Sequence, residues 1–171
     1  RAEHPNPTAG AIFYYHAQTA RFGRFLKFLA RYQFLWDRPL MRRLIDRMTK
    51  PFMRGLAETA QLSPQLVLPR LAQRHLRDRY PELIPQTTRG PRSPVAYFHG
   101  CAANYFDDGV GDAVIAVLRK HGVEPDLPPQ RCSGTPIETY GHRALAKEGA
   151  RVNLAAMAKY DTVVTGCASC T

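Results

Sequence analysis

Four cysteines are the residues of this 171-residue chain whose type and spacing point to chemistry. Cys101 stands alone in YFHGC, Cys132 stands alone in RCSGTP, and Cys167 and Cys170 form a CxxC pair in TGCASCT. Thiolates ligate soft metals or exchange disulfides. Four of them suit either a tetrahedral zinc or an iron–sulfur cluster. A zinc ribbon uses two CxxC knuckles, whereas here one pair is close and the other two cysteines are single and distant. A thiol–disulfide CxxC precedes or opens a helix near a thioredoxin-like pattern, but Cys170 is nearly the last residue. Cysteines also pack simply as small hydrophobes, a poor account of four in this order. Glycines adjoin three of the motifs: Gly100 before Cys101, Gly166 before Cys167, and Gly134 two residues after Cys132. Glycine lets backbone approach a bulky group and present N–H donors to sulfur.

Residues separated by 30 and 34 intervening positions meet only if the fold carries them to one place. VAYFHGC is a short β-branched and aromatic run, read as a strand that ends at Gly100. DDGVGDAVIAVLRKHG reads as an amphipathic helix, with Val110, Ala113, Val114, Val117 and Leu118 on one face. Asp107 and Asp108 suit its N-terminal end, Arg119 and Lys120 its last turn, and Gly122 its close. VEPDL reads as a second strand, with Pro125 pointing to an edge. A long helix is expected from about Ile137 to Tyr160, and DTVVTGC as a third, buried strand. Strand, helix, strand, helix, strand implies an α/β fold: a small parallel sheet with crossover helices over residues 95–171. Each cysteine then follows a strand, at the edge where open α/β sheets gather ligands.

The preceding half differs in charge and pattern. Residues 1–94 carry 17 Lys and Arg against 6 Asp and Glu, or +11, and residues 95–171 carry 7 against 8, or −1. The basic half reads as an α-helical arm broken by prolines. In ARFGRFLKFLARYQFLW, Phe22, Phe25, Leu26, Leu29 and Trp36 follow helical spacing, with Arg24, Lys27 and Arg31 on another face. Leu40, Leu44 and Met48 repeat the pattern after Pro39, and a third helix is expected to start at Pro69. PELIPQTTRGPRSP holds four prolines and a glycine in fourteen residues and reads as a linker. The boundary falls near Arg92, giving an arm over 1–93 and a domain over 94–171.

Composition narrows the class. With 44% hydrophobic residues the chain can bury a core. It has no signal-peptide h-region and no run of 18 uncharged apolar residues. Four cysteines are too few for a secreted disulfide scaffold, so a reducing compartment is expected. The chain opens without Met and stops one residue after Cys170, which suggests a piece of a longer protein. His99 and His142 flank the motifs and read as hydrogen-bonded neighbours rather than ligands. Thr135-Pro136 reads as the shape of the turn after Cys132. Gly109-x-Gly111 lacks a full phosphate fingerprint and sits among aspartates that would repel phosphate. No acid–base pair or nucleophile constellation stands out, so no catalytic residue is assigned. The basic arm reads first as a solvated helical face, next as a dock for anionic lipid, and last as a nucleic-acid contact, because its aromatics share the apolar face.

Together, YFHGC, RCSGTPIETYGH and CASCT resemble the CCG cysteine-rich domain. That domain occurs in the B subunit of heterodisulfide reductase, the C subunit of anaerobic glycerol-3-phosphate dehydrogenase, and glycolate and lactate oxidase iron–sulfur subunits. The resemblance covers roughly 94–171, with three separated motifs in the same order and spacing. LPRLAQRHLRDRY is more loosely similar to the connector that follows a ferredoxin-like domain in the glycerol-3-phosphate dehydrogenase protein. The sequence departs from the family where Cys-Cys-Gly becomes Cys132-Ser133-Gly134. The non-cubane cluster of heterodisulfide reductase uses the extra cysteine, which puts that cluster in doubt here and leaves cubane versus non-cubane open; the resemblance implies an iron–sulfur cluster on Cys101, Cys132, Cys167 and Cys170, the four that a [4Fe–4S] cubane needs, with Ser133 and Gly134 beside it. It further implies an electron-transfer subunit that takes electrons from a flavin dehydrogenase and passes them toward a quinone, in the cytoplasm or peripheral on the cytoplasmic face of the inner membrane. A structural zinc domain and a thiol/disulfide redox subunit are the rival readings.

Overall fold

The computed structural model of the chain describes residues 20–36, 38–41, 43–44, 47, 70–85, 93–106, 108–139 and 141–170. The expected start of a helix at Pro69, residues 86–92 of the linker expected over 81–94, Met48 and Asp107 lie outside them. Strand β1 (Val95–Phe98) pairs in parallel with β2 (Thr162–Thr165), in register Val95↔Thr162 through Phe98↔Thr165. Ala96 and Tyr97 are fully buried on β1, as expected of a strand flanked on both sides. On its other edge β1 meets the VEPDL segment, which forms a single parallel bridge, Ala96↔Asp126, rather than a strand. Tyr97 N–H donates to the Asp126 carbonyl at 2.8 Å and Asp126 N–H to the Val95 carbonyl at 2.9 Å. Pro125 has no N–H to extend that ladder. The α/β class holds, with a sheet of two strands and one bridged edge.

Helix α1 (Ala20–Trp36) forms where the spacing predicts it. Its buried face is Gly23, Leu26, Ala30 and Gln33, whereas Phe25 is 53% exposed. The small residues set this face. A Cβ on Gly23 would sit 3.6 Å from His75 Cε1, so the helix lies close against the following segment. Lys27 pairs with Asp78 at 2.5 Å, and Leu71 N–H donates to Gln33 Oε1 at 2.8 Å. The expected helix after Pro69 shrinks to α2 (Leu76–Arg79), because residues 70–75 are not helical. A 3-10 turn, Pro81–Leu83, follows it. Leu76 and Leu83 enter one core with Tyr97, Ile115 and Leu127.

After β1 come α3 (Ala102–Tyr105) and α4 (Asp108–Lys120). The buried side of α4 is Gly111 and Ile115, with Val114 packed beside them, while Val117 is 58% exposed. The face is therefore rotated from the one the valines predicted. Gly111 explains the rotation: a Cβ there would lie 2.7 Å from Leu76 Cδ1, so only glycine admits the leucine. Gly122, at φ 76°, ends α4, with Val123 N–H returning to the Leu118 carbonyl at 2.9 Å. The long helix expected over 137–160 is two helices, α5 (Thr135–Thr139) and α6 (Arg143–Met157). Gly141, at φ 87°, makes the break.

Candidate metal centre

The fold carries all four cysteines to the C-terminal rim of the sheet. β1 runs out through His99 into Gly100, whose φ of 67° turns the chain so that Cys101 precedes α3. Cys132 follows the bridged Asp126 segment and leads into α5. Gly166 and Cys167 follow β2, and Ala168–Cys170 curl into a 3-10 turn. None of the four is in a disulfide; Cys132 is buried and the others are half-buried. Cys101 Sγ lies 3.7 Å from Cys132 Sγ. Cys170 Sγ lies 3.1 Å from where a Cβ on Gly100 would stand, so that glycine makes room for the sulfur. Cys167 Sγ contacts Ser169 Oγ at 3.1 Å.

Polar clamps hold these loops against one another. Asn153, buried on α6, accepts from Arg131 N–H at 2.7 Å and donates to the carbonyls of Arg131 and Cys132, each at 3.2 Å. Gln130 donates to the Tyr97 carbonyl and accepts from Gly100 N–H, both at 3.1 Å, tying the end of β1 to the approach to Cys132. Thr135 Oγ1 donates to the Ser169 carbonyl at 2.8 Å and so joins the Cys132 loop to the CxxC loop. Ser133 Oγ lies 3.3 Å from that same Thr135 hydroxyl. Gly134, at φ 92°, is pressed on α6: a Cβ there would be 3.2 Å from Ala146 Cα. Asn153 and Gln130 were not singled out in the sequence, and Thr135 was read only as a turn residue. The one available signal was an Asn inside the alanine-rich helix RVNLAAMA, a costly residue there unless its amide is used.

The thiols split into unlike partners. Cys101 donates to Cys132, which with burial pushes Cys101 up, while the same contact and the Gly134 N–H favour a thiolate at Cys132. The Ser169 hydroxyl pulls Cys167 down, and burial pushes Cys170 up to about 11. His99 donates Nδ1–H to the Gly100 carbonyl at 2.7 Å, and burial lowers it to about 4, so it is neutral at pH 7. His142 stands at the N-terminus of α6.

Among the described residues no three His, Cys, Asp or Glu side chains are grouped to hold a single metal ion. An iron–sulfur cubane takes one thiolate at each iron, so Cys101 Sγ and Cys132 Sγ would move apart from 3.7 Å to serve two of them. The donor set fits such a group: four unpaired thiols at one rim, with Gly100 and Gly134 at positive φ beside it.

A cysteine-rich rim on a small parallel α/β unit thus defines the class. Residues 95–171 match the model of the CCG cysteine-rich domain family. The B subunit of fumarate reductase (CoM/CoB) from Methanothermobacter marburgensis is 36% identical over 88 residues, covering 51% of this chain and 18% of that protein. An uncharacterized iron–sulfur protein of Methanocaldococcus jannaschii is 40% identical over 79 residues, 44% of this chain and 16% of that one. Lactate utilization protein A of Bacillus velezensis is 35% identical over 78 residues, 45% of this chain and 33% of that one. The chain therefore spans a third or less of the length of these relatives. No solved structure matches it.

Proposed function

We propose that the chain is part of an iron–sulfur redox subunit and that Cys101, Cys132, Cys167 and Cys170 hold its cluster. The observation that carries this reading is the convergence of four unpaired thiols from three loops on one sheet edge. The relatives agree in kind, being a reductase subunit and an iron–sulfur protein by name. Four thiolates are what a [4Fe–4S] cubane requires. Ser133 takes no ligand role, since a serine hydroxyl holds its proton far more tightly than a thiol; it and Gly134 line the near wall. When bound, the cluster supplies a one-electron relay. The residues of this chain supply thiolates, backbone N–H donors and burial that limits water at Cys132.

The finer reading extends the domain over 94–171 and makes residues 1–93 an arm. In it, electrons arrive from a flavin dehydrogenase subunit and leave toward a quinone, and the arm docks on an anionic membrane surface. Support for the dock is the exterior of α1 and the segment after it: Phe28, Phe34 and Leu40 are exposed, as are Arg24, Arg31 and Arg38. No helix among the described residues is long and apolar enough to cross a membrane. A zinc reading draws only on the 3.7 Å Cys101–Cys132 pair, a spacing that two ligands of one zinc would also have.

The test is anaerobic purification with a visible spectrum and iron, zinc and sulfide analysis, beside Cys132→Ala. Broad visible absorption with equal iron and sulfide, lost in the variant, is the expected result. Colourless protein holding one zinc would overturn the electron-transfer reading. Colourless protein with redox-active thiols would point to disulfide exchange instead.

A further inference from the structure

Tyr97 is the largest fully buried side chain, and its hydroxyl has no hydrogen-bond partner among the described residues. An unmet hydroxyl in a core costs free energy that phenylalanine would not. Its ring packs among Leu76, Leu83, Ile115 and Leu127, where phenylalanine would serve equally. The hydroxyl points toward the rim, where a Cβ on Gly166 would stand 3.6 Å from it, immediately before Cys167. Charge on Cys167 and Cys170 is felt there, helping burial to push the phenol up to about 12. The phenol therefore keeps its proton at neutral pH and has it to donate.

We propose that Tyr97 donates its O–H to the thiolate sulfur at the Cys167–Cys170 side of the cluster and thereby raises the reduction potential. This inference rests on the cluster reading above. A donor to a ligand sulfur favours the reduced, more negative form, so the contact shifts potential upward. The other buried side chain at the rim cannot do this. His99 spends Nδ1–H on the Gly100 carbonyl, which leaves Nε2 an acceptor. Ser133 and Ser169 are hydroxyls close to the sulfurs, but they face the rim's outer side, where water competes for them. Among the described residues at the rim, Tyr97 is the hydroxyl donor that water does not reach.

The experiment is a potentiometric titration of cluster-loaded protein as wild type, Tyr97→Phe and Tyr160→Phe. Tyr160 is a control: it too is buried, but its hydroxyl bonds Asp126 at 3.2 Å, remote from the thiols in the bonding network. Tyr97→Phe is expected to load the same iron and to lower the reduced-to-oxidised ratio about tenfold at the wild-type midpoint, equal to about 59 mV for one electron. Tyr160→Phe is expected to leave the midpoint in place. The metal-free Tyr97→Phe protein should resist denaturant at least as well as wild type, since it sheds an unmet polar group. A loaded Tyr97→Phe protein with the wild-type midpoint overturns the inference while leaving the cluster reading intact. Wild type that never takes a cluster takes down both. Should Tyr97→Phe fail to load, fluorotyrosine placed at position 97 decides: its more acidic phenol raises the midpoint if the bond exists, and an unmoved midpoint refutes it.

Discussion

Replacing Asn153 with alanine tests whether the Cys132 loop is held by one carboxamide. Asn153 makes three contacts to that loop, at 2.7, 3.2 and 3.2 Å, from a side chain only 9% exposed. Each made hydrogen bond contributes about 1 kcal/mol net, and each buried group left unmet costs about 1–3 kcal/mol. Arg131 is half-buried, so water can recover part of its loss, whereas Cys132 is buried. The expected destabilisation of Asn153→Ala is therefore about 2–4 kcal/mol. It is read from guanidinium unfolding of metal-free protein, so that stability is separated from cluster loading. Iron per chain after reconstitution, measured in parallel, should fall, because Cys132 no longer has a fixed backbone. Asn153→Asp is the sharper variant. It keeps the acceptor for Arg131 N–H but turns an oxygen toward two carbonyl oxygens, so at neutral pH it should be no better than alanine. The reasoning fails if Asn153→Ala unfolds within about 0.5 kcal/mol of wild type, or if Asn153→Asp behaves like wild type.

Four further substitutions probe the packing of the elements around the site. Gly134→Ala meets both a positive φ and the backbone of Ala146 at 3.2 Å, whereas Gly122→Ala meets positive φ with nothing within 4 Å. The first should cost about 2–3 kcal/mol and the second about 1 kcal/mol in denaturant unfolding; equal costs would remove the close approach from the account. Gly111→Ala gains about 1 kcal/mol of helix propensity but forces a Cβ to 2.7 Å from Leu76 Cδ1, an overpacking of about 1–3 kcal/mol, so a net loss is expected. A more stable Gly111→Ala protein would mean that α4 does not seat on Leu76 as described. His75 is buried, and burial first, then Lys27, lowers it from 6.5 to about 4. The unfolded chain thus takes a proton that the native state refuses: this contribution is complete above pH 6.5 and is lost as pH falls toward 4. Between pH 7 and 5 the loss is about 2 kcal/mol, and His75→Phe should be flatter over that window by about this amount; parallel stability–pH curves would exclude the effect.

The cysteine rim was legible because its information is local. A short apolar run followed by Gly100-Cys101, and another followed by Gly166-Cys167, each name a strand and its exit, and parallel strands exit on the same edge. Faces and clamps were less legible. Valine spacing predicted a face of α4 rotated from the buried one, since Gly111, whose lack of a side chain carries no hydrophobic signal, lies at the centre of the packed side. The same holds at Gly23, which seats α1 with Leu26 and Ala30 inward and leaves Phe25 outside. Gly141 cut one long helical pattern into α5 and α6, and the cut is what lets Gly134 rest on Ala146.

The polar residues explain why the remainder stayed hidden. Asn153 reaches Cys132 across 21 positions, Gln130 reaches Gly100 across 30, and Thr135 reaches Ser169 across 34. Such pairs have no period, and their residue types are common in loops and on surfaces. Periodicity reports which side of an element is dry; it does not report which amide will find which carbonyl once the elements have packed. At this rim the thiols name the chemistry, while long-range amides and hydroxyls fix how far apart the sulfurs stand. Cys101 Sγ and Cys132 Sγ stand 3.7 Å apart on loops those residues hold, a distance the cysteine spacing alone does not reveal.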